Sequence, residues 1–421
     1  MQHRIWAIAL VLIAVNSLAK AEDWPSFRGP AGNGISNEQH VPTHWGPEQN
    51  IKWKVALPAA GDSSPIVSNG RVFITCAADE GRQRSLYCFD RADGRLRWMR
   101  SVEFDKIMPT HKTNAYCGST PAADGQRVVV WHSSAGLYCY DFQGNQLWQR
   151  DLGEFRHLWG YGTSPVLHDG RVILHSGPGE SAFVASLDPE SGETLWKTAE
   201  PLEGNGEQNE NGKYMGSWCT PIIVNVDGRE LIVCDMPTRV NAYDPNSGDI
   251  VWSCRGLRGR KGDLAYASPV IAGDICVAMG GFNGPAIGFR MSGAGDITDT
   301  HRLWHVEPNP QRIGSGVTVG KHIYVANAGR NTFQCIEPAT GKIVWEERSR
   351  GAAHWGSLVY AGGRLYVTDQ DGTTHILLPD PEKLVPVASN RLDEPSNSTP
   401  AISDGQLFIR TFDHLFCISE T

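Results

Sequence analysis

The chain has 421 residues, 40% hydrophobic and 20% charged, with 46 acidic against 38 basic side chains and a formal net charge of −8. That length could make two or three domains, but repeat architectures override the prior and favour one large body. A mildly acidic balance without basic clusters argues against nucleic acid and anionic membranes as partners.

The chain opens with His3 and Arg4, an apolar run from Ile5 to Val15, and Ala19-Lys20-Ala21. This reads as a secretory signal peptide cleaved after Ala21, because the run is too short to span a bilayer. With no Cys at the cleavage point and no later apolar run of membrane-spanning length, the mature protein is expected to be periplasmic or secreted, without membrane insertion. Residues 22–50 form an N-terminal extension, and 51–421 carry everything that follows.

From residue 64 onward a unit repeats. Ser64-Pro65-Ile66-Val67 leads to an Asn69-Gly70 turn, the β-rich Val72-Phe73-Ile74-Thr75, then Ser85-Leu86-Tyr87-Cys88-Phe89 and Leu96-Arg97-Trp98. Short β-branched runs separated by Gly, Asn and Asp read as an antiparallel meander. An apolar residue, an acid, a Gly-ended turn and a Trp recur from Phe89 to Trp98, Tyr140 to Trp148, Leu187 to Trp196, Tyr243 to Trp252 and Ile336 to Trp345. A repeat of roughly 40–55 residues signals an array of one supersecondary unit.

The Ser/Thr-Pro opening returns at Thr120-Pro121, Ser164-Pro165, Thr220-Pro221, Ser268-Pro269 and Thr399-Pro400, with weaker forms at Ser315-Gly316 and Ser357-Leu358. Eight openings predict an all-β, eight-bladed β-propeller of four-stranded antiparallel blades. A Pro at the strand entrance suits the innermost strand, which borders a central channel. The last unit has three strands, so Ile51-Lys52-Trp53-Lys54-Val55 is expected to complete it and close the ring. Trp53, Trp98, Trp148, Trp196, Trp252, Trp304 and Trp345 are placed at blade-to-blade contacts. The seventh unit, with Leu377-Leu378-Pro379-Asp380-Pro381 and no following Trp, is expected to be the weakest seam.

The segments before the inner strands are polar and aromatic: His111, Asn114 and Tyr116; His157, Trp159 and Tyr161; Tyr214 and Trp218; Asp263 and Tyr266; Arg312; His354 and Trp355; and Asn397. The topology sends them all toward one channel mouth, where aromatics with a few donors suit a flat or sugar-like ligand or a peptide strand. Asp90, Asp141, Asp188, Asp244 and Glu337 precede Gly turns and read as turn-forming acids. Asp369-Gln370-Asp371-Gly372-Thr373 reads as a hairpin turn, and His40 and His44, with Pro42 between them, as no metal pair. Residues 203–213 read as a loose surface loop. Cys88, Cys139, Cys335 and Cys417 occupy small buried positions, and a bridge within Cys219, Cys234 and Cys254 stays open.

Leu187-Asp188-Pro189-Glu190-Ser191-Gly192-Glu193-Thr194-Leu195-Trp196 and its counterpart from Tyr243 to Trp252 resemble the repeat of pyrroloquinoline-quinone-type (PQQ-like) β-propellers in exported bacterial proteins. The resemblance covers about residues 51–421, and Trp24-Pro25-Ser26-Phe27-Arg28-Gly29-Pro30 resembles a leader often found before such repeats. It implies two kinds of function: quinone-dependent dehydrogenases holding PQQ and calcium at the channel mouth, and assembly scaffolds that bind no quinone. This chain lacks the adjacent Cys pair of those dehydrogenases, their long insertions and a Cys-x-x-Cys-His haem site. The favoured expectation is therefore a non-catalytic, monomeric binding or scaffold protein with a protein partner or small ligand at the mouth and no cofactor. A PQQ-dependent dehydrogenase acting on alcohols or aldoses, and a carbohydrate-binding module, are the alternatives.

Overall fold

A computed structural model describes residues 22–201 and 203–420, so the signal-peptide reading for 1–21 lies outside the described residues. Eight four-stranded antiparallel sheets follow one another around a central channel. The first seven span residues 66–103, 122–150, 166–199, 222–255, 270–306, 317–348 and 359–391. Two-residue hairpin loops join inner to second strands where Asn69-Gly70, Asp169-Gly170, Asp227-Gly228 and Asp404-Gly405 put two successive residues at positive φ, the backbone that matches strand twist. The eighth sheet takes its outermost strand from Ile51–Ala56, which pairs with His414–Ile418 in a register setting Trp53 opposite Cys417. The ring is closed by the two ends of the propeller chain, and no terminal sheet edge is left over.

The seams repeat one contact. Each blade-end Trp lies against the turn of the next blade and donates its indole N–H to a turn carbonyl: Trp98 to Phe142 at 3.0 Å, Trp148 to Pro189 at 2.9 Å, Trp196 to Pro245 at 2.9 Å and Trp304 to Pro338 at 2.7 Å. The turn Gly is required by this approach, since a Cβ on Gly192, itself at φ +70°, would stand 2.6 Å from the Trp148 ring. The acids in these turns accept local N–H bonds. Asp188 takes those of Glu190 and Ser191 together with the Ser191 hydroxyl, and these bonds hold its carboxyl below the ordinary range.

Two seams depart from the pattern. Trp252 is fully buried with its indole edge-on to Phe289 at 5.4 Å, and its Nε1 finds no partner among the described residues. The fifth blade lacks the acid turn there, and its Gly295–Asp296 instead adds a fifth, parallel strand to the fourth blade beside Trp252 and Ser253. The degenerate seventh blade still receives Trp345, whose N–H reaches Asp380 at 3.0 Å. Where that blade has no Trp of its own, Trp45 from the extension packs into the core shared by the seventh and eighth blades, so the seam expected to be weakest is filled from elsewhere in the chain.

The extension is a strap. Trp24 exchanges two backbone hydrogen bonds with Val67 at the far end of the first inner strand, and Pro25 accepts the N–H of Ala123 in the second blade. The chain then turns up the channel, where Arg28, almost fully buried, donates to the Gly316 carbonyl of the sixth blade. It continues along the seventh blade, pairing Gly34 and Ser36 with Tyr360, and ends with Glu38 accepting the Asp404 N–H of the eighth. The leader therefore crosses the channel from one side to the other.

Residues 203–213, read from sequence as a loose loop, are pinned. Asn209 donates to the buried Asp263 carboxylate at 2.8 Å, Arg258 bridges Glu203 and Asp263, and Tyr214–Ser217 pairs in parallel with Gly262–Ala265. All ten cysteines are buried and free, so the bridge left open among Cys219, Cys234 and Cys254 is not formed. Cys219 uses its sulfur to accept the Asp235 N–H instead.

Candidate functional site

The hydroxyl residue that opens each inner strand has a structural task. The Thr120 hydroxyl accepts the Ser64 N–H at 2.9 Å, Ser164 that of Thr120 at 3.0 Å, and Thr220 that of Ser164 at 3.1 Å. The series resumes with Ser315 on Ser268, Ser357 on Ser315 and Thr399 on Ser357, and closes with Ser64 accepting the Thr399 N–H at 3.0 Å. At the one remaining step the sense is reversed, with Ser268 donating to the Thr220 carbonyl at 2.8 Å. Eight blades are thus tied into a collar around the channel, each link satisfying a polar group that burial would otherwise strand.

Above the collar lies a cavity of about 400 Å³, mostly apolar in its walls and lined from below by Phe27 of the leader. Its wall follows a rule: the residue two before each collar hydroxyl faces it. Those positions are Asp62, Gly118, Gly162 and Trp218 in the first four blades. In the last four they are Tyr266, Ile313, Trp355 and Asn397. The two glycines leave room beside them for the Asn114 oxygen at Gly118 and the Trp218 ring at Gly162.

In an eight-membered ring the fourth and fifth blades stand across from the eighth and first. Trp218 and Tyr266, 5.4 Å apart, therefore face Asn397 and Asp62. Trp159 extends the aromatic wall, lying 5.9 Å from Trp218, 6.3 Å from Phe282 and 4.9 Å from Tyr214 on its outer side. On the polar side Asp62 accepts the Asn397 amide at 3.0 Å and the Ala115 N–H at 3.2 Å. Burial nevertheless pushes its carboxyl up to about 6, against the pull of Asn397 and the nearby Arg410. Asn114 spends its amide N–H on the carbonyls of Trp159 and Tyr161, so its oxygen is the atom offered to the cavity.

Of the residues singled out from sequence, His111, Asn114, Trp159, Trp218, Tyr266, Trp355 and Asn397 are brought together in this wall. Tyr116, His157, Tyr161, Tyr214, Asp263, Arg312 and His354 are not among those that line it. His157 is buried and neutral, its pKa lowered by desolvation; Nδ1 takes the Trp159 N–H, Nε2 faces the Met215 carbonyl, and the ring meets Trp218 edge-on at 4.9 Å. It holds the aromatic wall in place. Tyr161 donates to the Tyr116 carbonyl and Tyr116 to that of Met108, and both rings flank the buried Arg84. Arg312 donates to Gln334 at 2.7 Å, and His354 stacks on Phe333 at 4.7 Å. Asp62, Phe27, Phe282 and Gln311 also line the cavity; counting two residues back from each Ser/Thr opening would have found Asp62.

The chain matches, over residues 82–347 and again over 293–377, the repeat family described as outer membrane protein assembly factor BamB. No curated protein matches it. Among solved structures it is similar to BamB from Moraxella catarrhalis, with a TM-score of 0.58 and 16% identity over 87% of this chain and 96% of that one. It is also similar to the quinohemoprotein alcohol dehydrogenase from Comamonas testosteroni, with a TM-score of 0.66 and 10% identity over 95% and 81%. A europium-containing methanol dehydrogenase gives 0.54 and 9% over 95% and 98%. At such identities the likeness is one of fold.

Proposed function

The chain belongs to the PQQ-like β-propeller family described as outer membrane protein assembly factor BamB, and from that premise we propose that it is an exported, non-catalytic binding protein that takes a small organic ligand in the cup above the collar. The observation that carries the reading is the cup's construction: open at one mouth, lined from below by Phe27 of its own leader, with an aromatic wall opposite a carboxylate and amide. Pockets of this kind, apolar with a few placed polar groups, are the usual form of a small-ligand site. Burial against the blades makes the wall rigid, so a ligand loses little by binding to it.

The family's quinone fits this cup poorly. PQQ carries three carboxylates, and a flat trianion needs fixed cations, yet no Lys or Arg is among the described residues that line the cavity and its one acidic group would repel the ligand. Among the described residues no three His, Cys, Asp or Glu side chains converge on a point that could hold a metal ion. No helix among them is long and apolar enough to cross a membrane. Native mass spectrometry of the purified protein, combined with equilibrium titration of PQQ and calcium and a dye-reduction assay on alcohols and aldoses, tests the proposal. Retention of a small ligand, lost in Trp218→Ala, is the outcome expected. Quinone-dependent dye reduction abolished by the same substitution overturns it.

A further inference from the structure

Resting on that reading of the cup, we infer that its ligand is a neutral carbohydrate, held with one ring face against Trp218 and Tyr266 and its hydroxyls against the side formed by Asp62, Asn397 and Asn114. Three features of the wall lead to this. The aromatics form a contiguous surface, since Trp159, Trp218 and Tyr266 pack on one another at 5.4 to 6.3 Å. Their planes are tilted by 34 to 59° to one another, so the wall is faceted, and each facet offers dispersion contact to the C–H face of a saturated ring.

The opposite side asks for donors. Asp62 has its oxygens oriented by Asn397 and Ala115, and the Asn114 amide N–H is already engaged, so both present acceptor oxygens to the cup. A ligand bringing only acceptors would displace the water around these oxygens and set its own lone pairs against theirs. Sugar hydroxyls donate and accept at once and so pair with both these oxygens and the hydroxyls of the collar. The cup also carries little fixed charge: Asp62 is the one carboxylate among the described residues that line it, and the buried Arg410 guanidinium stands near it. A neutral ligand leaves that balance undisturbed.

The test uses the whole mature protein. A glycan array with methyl glycosides of common hexoses and N-acetylhexosamines, followed by tryptophan-fluorescence titration and saturation-transfer NMR of the hits, should give saturable binding of at least one sugar. The NMR should show the ring C–H protons closest to protein. Trp218→Ala and Asp62→Asn should each weaken that binding by about tenfold or more. Gln311→Ala, at the half-buried rim where folding is not at stake, should weaken it about threefold. Menadione, an uncharged planar aromatic, and choline are the contrasting probes. If either saturates the fluorescence change while no sugar binds, the cup stands as a site and the carbohydrate inference falls. If none of the sugars, menadione or choline binds, the cup reading falls with it.

Discussion

Trp45 donates its backbone N–H to the side-chain oxygen of Asn390 at 3.2 Å, and Asn390 returns its amide N–H to the Thr43 carbonyl at 2.9 Å. This reciprocal clamp fixes an indole from the leader at the seam where the seventh blade has no Trp. Trp45→Ala should therefore cost about 3–5 kcal/mol, as much as Trp98→Ala in a regular seam. Asn390→Ala should cost about 1–3 kcal/mol by leaving a buried N–H unpaired. Urea unfolding of the three variants decides it, and a Trp45→Ala protein indistinguishable from the parent refutes the clamp.

The collar predicts a methyl-for-hydroxyl penalty. Thr120→Val keeps the shape but leaves the buried Ser64 N–H without its acceptor, so stability should fall by about 1–3 kcal/mol while Thr120→Ser stays close to the parent. Amide hydrogen exchange at Ser64 should accelerate in the Val variant alone.

Two glycines separate backbone strain from steric conflict. Gly170 has φ +64° and open space around its missing Cβ, whereas Gly192 has φ +70° and a ring 2.6 Å away. Gly170→Ala should cost about 1–2 kcal/mol for the left-handed backbone alone. Gly192→Ala must also displace Trp148, so its loss in thermal unfolding should exceed that of Gly170→Ala by several degrees. Equal losses would show that the Trp–Gly contact carries no stability.

His354 is fully buried, neither ring nitrogen has a partner among the described residues, and burial lowers its pKa to about 3. The unfolded chain takes up this proton below about pH 6.5 and the folded one does not. The resulting stability is intact above pH 6.5 and is lost as pH falls toward the folded value. His354→Phe removes the group without emptying its place on Phe333. It should match or exceed the parent at pH 7 and gain a further ~2 kcal/mol relative to it at pH 5. Denaturant titrations at the two pH values check the sign.

The ring architecture was legible because its causes are local. Pro at strand entrances, Asn-Gly turns and the acid–Gly–Trp phrase each fix a short piece of backbone, and repetition does the rest. The cup was only half legible. Trp218, Tyr266, Trp355 and Asn397 stand in the repeat position that faces it, while His157, Tyr161 and Arg312 come from the same loops and are buried away from it. Which way a loop side chain turns depends on partners far away in sequence, as with His157 and Met215. Phe27 and Trp45 carried no repeat context at all, because their sites are assembled from blades up to the eighth.

The strap sets an order on synthesis. Residues 22–56 leave the ribosome before the surfaces they join exist, since their partners at Gly316, Tyr360, Asp404 and Phe416 come last. Until then the nascent protein is an open arc with an exposed strand at each end, the form most prone to pairing with a neighbour. Its hazard is greatest just before completion, and a chaperone that shields one early hydrophobic segment would guard the whole ring.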